Sequence, residues 1–354
     1  MAGIKRIEYS GSFPEGFFTI PKKIYANLNF LPEDSEEYLK ELFDLKMEDH
    51  QIIIYTDHEN IRLTGIFPKA KNHCYFGFWE SNNDLELNKE LFELFQKDAI
   101  LLERSKIIGP MHFNTFHRYR LRVGDVPSWG MFDREPVNPT YYPELLEKLG
   151  FKTILSYESR LIPAPEIEKI YRDKGKFVST VEEIPFEIIP LNSENWKTYE
   201  DDIFDLVENI FAENPGYKPI NFREFHLIYN QDFAEKLCPK TACLFMDKET
   251  GELVSLSFCL PNYKDLKIKD PRFEPDFFKL KNPTLLAKTL GVHPRYRNMN
   301  LMNYSGAYGM LSFREVYEDI IFCLMKTDNY SLHFTEGIPC EKAFYALYEK
   351  HLGE

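Results

Sequence analysis

Pairing cysteines, basic charge and long apolar runs are all scarce in this 354-residue chain. Its six cysteines (Cys74, Cys238, Cys243, Cys259, Cys323, Cys340) include no CxxC pair. That speaks against both a disulfide framework and a zinc site, and leads us to expect no metal and a reducing, cytoplasmic location. Lys and Arg total 43 against 56 Asp and Glu, a formal charge of -13 at pH 7. A field of that sign repels phosphates, so nucleic acid is not expected as a partner. No run approaches the roughly 18 apolar residues of a membrane span, and the first residues carry charge without an apolar signal core, so no membrane partner is expected either. Nor is there a serine or cysteine nucleophile with a placed histidine and acid.

What is present is a globular composition, 44% apolar, in a chain long enough for two cores. The 30 Phe and 21 Tyr read as bulky core packing. Hydrophobic patterning predicts short helices within 21–45, strands at 51–56, 61–67 and 73–79, a helix over 85–104, and a further helix ending at Gly150 before strands at 151–161. The charged stretch around 165–185 lacks strong periodicity and reads as a linker. Beyond it come a strand at 185–191, helices at about 200–212 and 221–236, strands at 241–247 and 252–260, and a strand at 284–292. A loop, a helix at about 300–317, a strand at 319–326, a helix from 328 and a last strand at 343–350 complete the pattern. The expectation is α/β: two similar domains, 1–170 and 186–354, joined by a linker at 171–185.

Charge is unevenly distributed. Residues 264–300 hold nine Lys or Arg against four acids, a local +5. Arg295-Tyr296-Arg297-Asn298-Met299-Asn300 lies between an apolar strand and an amphipathic helix. A strand-to-helix turn aims unpaired amides and a positive helix end at whatever sits there, and arginine can fork onto phosphate oxygens. Asn298 and Asn300 are the non-glycine residues that most readily take the positive φ such a loop needs. The competing reading is a solvated basic loop that merely caps the helix.

Thr289-Leu290-Gly291-Val292-His293-Pro294-Arg295-Tyr296-Arg297 resembles the fourth strand and pyrophosphate loop of the GNAT superfamily of acyl-CoA N-acyltransferases. Lys326-Thr327-Asp328-Asn329 and Tyr345-Ala346-Leu347-Tyr348-Glu349-Lys350 resemble later elements of the same fold. In the front half, Phe76-Gly77-Phe78-Trp79-Glu80, Gly109-Pro110 and Asn138-Pro139-Thr140-Tyr141-Tyr142 resemble bacterial tandem-GNAT proteins. The resemblance implies two GNAT-like domains, each a mixed, mostly antiparallel twisted sheet flanked by helices, the first of them degenerate. Its two expected loop glycines fall on Asn300 and Met302, so neither is present.

The resemblance further implies an N-acyltransferase. It would move an acyl group from acyl-CoA or an acyl-phosphopantetheine, the latter on an acyl carrier protein, to the amine of a small molecule or amino acid. Leu290, Gly291 and Val292 would face the pantetheine and carbonyl. Arg295, Arg297 and the amides of Asn298, Met299 and Asn300 would bind phosphate, and Asn329 would hold the pantetheine arm. Tyr330 or His333 would protonate the leaving thiolate, unless they simply pack at a helix start or lie at the surface. His293 is either a turn residue or a general base. Phe211, Glu213, Asn214 and Tyr217 would line the acceptor site, Glu213 attracting the amine, if they are not a solvated loop. A catalytically silent tandem-GNAT binding module and an aminoacyl-tRNA-dependent transferase are the alternatives.

Overall fold

A computed structural model describes residues 3–26, 34–214 and 217–353. The chain divides into two compact units, the first made of Met1–Asp125, Arg134–Ser156 and Phe344–Glu354 and the second of Val126–Asp133 and Tyr157–Ala343.

In the first unit β1 (Lys5–Glu8), β2 (His50–Thr56), β3 (Ile61–Pro68) and β4 (His73–Ser81) pair antiparallel in sequence order. β5 (Lys106–Gly109) then joins β4 in parallel, but only from His73↔Lys106 to Tyr75↔Ile108. The C-terminal strand Glu341–His351 pairs with β5 from Tyr348↔Gly109 to His351↔Lys106, and with the short β6 (Leu121–Val123) from Phe344↔Val123 to Ala346↔Leu121. Apolar residues at helical spacing bury one face of helix Leu85–Leu101 on the sheet, where Leu91, Phe92 and Phe95 share a core with Tyr55, Phe76 and Tyr348. The Asp84 carboxylate caps that helix by accepting the Leu87 amide at 3.0 Å.

The second unit has the order β8-β9-β10-β11-β12-β7: β8 (Glu187–Pro190), β9 (Cys243–Met246), β10 (Leu253–Pro261), β11 (Thr284–Val292), β12 (Asp319–Lys326) and, from Tyr157 on, β7 (Lys152–Ile162). All its pairs are antiparallel except β11 with β12. Helix Trp196–Phe211 buries Trp196, Ile203, Leu206, Val207 and Ile210, spacings that place them on one face. The outcome is the expected α/β class, with mixed, mostly antiparallel sheets flanked by helices.

Two boundaries differ from the sequence reading. Residues 171–185, expected as a linker, lie inside the second unit and include helix Lys174–Glu182. It buries no residue fully, but Phe177, Val178 and Val181 are half-buried where it packs along helix Leu301–Arg314. Such a shallow stripe in a charged segment leaves little periodicity to read. The last strand, expected to complete the second domain, belongs from Phe344 onward to the first unit. Pairing partners are set by tertiary hydrogen bonds, which one strand's sequence does not name. The helix expected from 328 is a 3-10 turn, Tyr330–Thr335.

Candidate functional site

β11 and β12 run side by side only from Thr284↔Asp319 to Ala287↔Phe322. Both strands carry an extra residue near the point of parting. Phe258 and Cys259 of β10 face Thr289 and Ala287, which leaves Lys288 as the bulge in β11. In β12 the register jumps between Phe322 and Met325, Leu324 takes φ 55, and its amide donates to Ser159 Oγ at 2.9 Å. Bulges bend strands and end pairing locally. Past them β11 follows β10 and β12 follows β7, so the two parallel strands splay apart.

Strand alternation then assigns the main-chain groups. The His293 amide donates to the Val254 carbonyl at 2.8 Å, and the Gly291 carbonyl accepts from Ser255 Oγ at 2.8 Å, so both face β10. The N–H and C=O groups of Leu290 and Val292 therefore face the splay. Gly291 was expected to touch a ligand, but here it serves packing. A Cβ at Gly291 would lie 2.6 Å from Ile210 Cδ1, so helix Trp196–Phe211 can approach only because no side chain is there.

Val292 and Leu301 sit in one core with Phe186, Phe245 and Val254, anchoring both ends of the intervening loop. His293 opens it, its Nδ1 accepting the Arg295 amide at 3.2 Å. A neutral ring that accepts at Nδ1 carries its proton on Nε2, which lies 3.9 Å from Glu252. In this arrangement the His293 ring holds the start of the loop. Burial lowers the His293 pKa; Glu252 opposes this and Arg295 and Arg297 add to it. Because the folded protein resists protonating this ring, its stability should hold above the ordinary value of 6.5 and fall as pH drops below it. Between about pH 7.5 and 5.5, we expect Tm to fall more for the natural protein than for His293→Gln. An equal or smaller fall would contradict this.

The loop continues as a 3-10 turn, Pro294–Tyr296, and the Met299 amide is taken by the Tyr296 carbonyl at 3.0 Å. Met299 was expected to offer that amide to phosphate; the turn consumes it. Asn300 adopts φ 61 and starts helix Leu301–Arg314 without a side-chain cap. First-turn amides without a side-chain acceptor and a positive helix end are the elements of an anion seat.

The arginines are not held in reserve for that seat. Arg295 pairs with Glu252, which also accepts from Tyr296 Oη at 3.1 Å, and Arg297 Nη1 donates to Glu213 at 2.6 Å. Glu213, expected to attract an amine, is thereby neutralised by Arg297. The wider basic stretch also disperses. Lys264 donates to the Trp129 carbonyl, Lys288 pairs with Asp133, Arg272 with Glu235 and Lys279 with Asp276. The ion pair does bring Glu213 to the loop. Phe211 ends its helix half-buried, Asn214 is exposed with its amide on the Phe211 carbonyl, and the Tyr217 amide bonds Asn214. Burial, with help from Glu208, raises the Tyr217 phenol.

Because β11 and β12 are parallel, the segment after β12 leaves the same end of the sheet. Asn329 is exposed there, and its carbonyl accepts the Leu332 amide at 3.1 Å. Arg160 of β7 braces the following turn through Thr335 Oγ1 at 2.6 Å. His333 is exposed, with Nδ1 2.9 Å from Glu336 Oε2. The side chain of Tyr330 lies outside those described. Asn298 is exposed in the loop before the helix. The splay, the glycine packing and the arginine partners depend on cross-strand register and had no signal in the sequence.

No family model matches the chain, and no curated protein matches it by sequence. Solved structures do match along nearly its whole length. A tandem GNAT protein from the clavulanic acid biosynthesis pathway aligns over 99% of both chains at 7% identity, with TM-score 0.52. A probable N-acyltransferase of Enterococcus faecalis V583 aligns over 98% of this chain and 72% of its own at 9% identity, TM-score 0.53. A glucosamine N-acetyltransferase region in a fungal multi-domain GH3 β-N-acetylglucosaminidase aligns over 99% of this chain and 38% of its own, at 10% identity and TM-score 0.51.

Proposed function

Proceeding from the tandem-GNAT fold that the chain carries, we propose that the second unit is an N-acyltransferase. It would use a pantetheine thioester, acyl-CoA or an acylated carrier protein, and a small-molecule amine or amino acid. The observation that carries this reading is the splay of β11 from β12, which opens the main-chain groups of Leu290 and Val292 beside the uncapped start of helix Leu301–Arg314. An extended amide-bearing arm can pair with such an edge as an added strand does, with its phosphate at the helix end.

In the reaction the free amine attacks the thioester carbonyl. A C–N bond forms, the C–S bond breaks, the amine loses a proton and the thiolate gains one. Leu290 or Val292 N–H would polarise the carbonyl. His333, whose Nδ1 lies 2.9 Å from Glu336 Oε2, would take the proton the amine loses. Asn329 would hold the pantetheine arm and Tyr330 would return the proton to sulfur. A second reading, a binding module without turnover, is favoured by the pairing of both arginines with acids and by the loop's lack of glycine at Asn300 and Met302.

Acetyl-CoA, longer acyl-CoAs, free CoA and an acylated carrier protein should be tested for their effect on Tm, and pooled amines screened for acylation by mass spectrometry. A shift with any donor plus acylated product supports the transferase. A shift without product supports the binding module, and no shift with any of them overturns both.

A further inference from the structure

The turn Tyr330–Thr335 of the second unit carries the exposed His333, and as a single 3-10 element it has poorer internal hydrogen-bond geometry than an α-helix. Its place is set by what it packs against. Phe334 lies over helix Leu301–Arg314 at Gly306, where a Cβ would stand 3.4 Å from the ring. Thr335 is buried at the end of the turn, its Oγ1 accepting from Arg160 Nη1 at 2.6 Å and donating to the Leu332 carbonyl at 3.2 Å.

Arg160 is itself held. Its Nε donates to Glu158 Oε1 at 2.6 Å, its Nη2 pairs with the same carboxylate, and Nη1 also reaches the Leu332 carbonyl at 3.4 Å. Lys342 Nζ stands 3.6 Å from the other oxygen, Glu158 Oε2. Glu158 and Arg160 are both buried, two residues apart on one face of β7. A guanidinium presents its donors in a fixed plane, so fastening one edge to Glu158 aims Nη1 at the turn. Ser159, between them, accepts the Leu324 amide at the β12 bulge. Three consecutive residues of β7 therefore fix both the bulge where the splay begins and the turn beyond the strand.

We propose that Arg160, oriented by Glu158, is a positioning residue of the second unit, setting through Thr335 the place of the turn that carries His333. The inference rests on the acyltransferase reading, in which His333 takes the amine proton. Arg160 acts through the turn and not on the reactants. A buried ion pair adds little net stability against a well-packed apolar alternative, so placement is the effect to look for. Proton transfer depends steeply on placement, and a displacement of about 1 Å can cost about a hundredfold in rate. Donor affinity rests in that reading on the β11 edge, Asn329 and the loop at Arg295, all of which precede the turn. Loosening the turn should therefore lower turnover and leave donor affinity nearly unchanged.

The test compares Thr335→Val, which removes the acceptor at nearly constant shape, with Thr335→Ser, which keeps it, in the full chain. The donor is whichever of acetyl-CoA, the longer acyl-CoAs and the acylated carrier protein gives product with the natural protein. Thr335→Val should lower kcat about tenfold or more with donor KM within about twofold, and Thr335→Ser should stay within about twofold of the natural protein in both. Hydrogen exchange of residues 329–336 should quicken about tenfold or more in Thr335→Val alone, with β10 and β11 unchanged. Should Thr335→Val fail to fold, Arg160→Lys, which keeps the charge beside Glu158 but loses the planar fork, decides by the same two measurements. Unchanged exchange would overturn the bracing. Faster exchange with unchanged kcat, or with KM rising as kcat falls, would overturn the positioning role while leaving the transferase reading in place. No product from the natural protein with any donor would overturn the transferase reading, and this inference with it.

Discussion

Deleting residues 344–354 is expected to unfold the first unit, not the second. That strand pairs with β5 along Tyr348–His351 and with β6 along Phe344–Ala346, and buries Tyr345, Ala346, Leu347 and Tyr348. Ala346 and Tyr348 belong to the first unit's main core. Tyr345 Oη donates to Glu135, a buried carboxylate 3.9 Å from the buried Arg122. Losing three large buried side chains removes about 5 kcal/mol or more of burial energy, comparable to the whole net stability of a domain. The ladder bonds of β5 and β6 and the Tyr345 donor to Glu135 go with them. Hydrogen exchange read by mass spectrometry should show β5, β6 and helix Leu85–Leu101 exchanging rapidly while β10 and β11 keep their protection. The opposite pattern would return the last strand to the second unit, as the linear order of the sequence suggests.

The double variant Arg295→Ala/Arg297→Ala should weaken whichever donor shifts Tm by about tenfold to a hundredfold, with the fold intact. A charge-assisted hydrogen bond to an anion is worth about 1.5–3 kcal/mol, and tenfold in affinity is about 1.4. Both arginines are now paired with acids, so a donor phosphate must take them from Glu252 and Glu213. These are exposed pairs, which hold weakly and exchange partners readily. Glu213→Gln, which releases Arg297, should accordingly tighten the same donor. Unchanged affinity in the double variant, or weaker binding in Glu213→Gln, would remove the loop arginines from the phosphate site. Circular dichroism of both variants should match the natural protein.

Much of the second unit was legible in the chain. The limits of β11 and β12 follow from apolar runs bounded by proline and charge, and Asn300 takes the positive φ that asparagine tolerates. Helix Lys174–Glu182 was not legible, because Phe177, Val178 and Val181 are only half-covered and sit among charges. The local +5 of residues 264–300 was real as composition and misleading as a patch, since Lys264, Arg272 and Lys288 bond partners outside the stretch and Lys279 pairs with Asp276 within it. Sequence distance bears little on where a flexible cation ends up.

By itself, then, the sequence determined the α/β class, the order of most strands and main helices, and the strand-to-helix turn at Arg295, because propensity and periodicity act between near neighbours. Only the tertiary structure decided which unit owns the last strand, where β11 leaves β12, and which acids hold the arginines. Those features depend on register and on contacts between residues far apart in the chain, such as Tyr345 with Glu135 and Arg297 with Glu213.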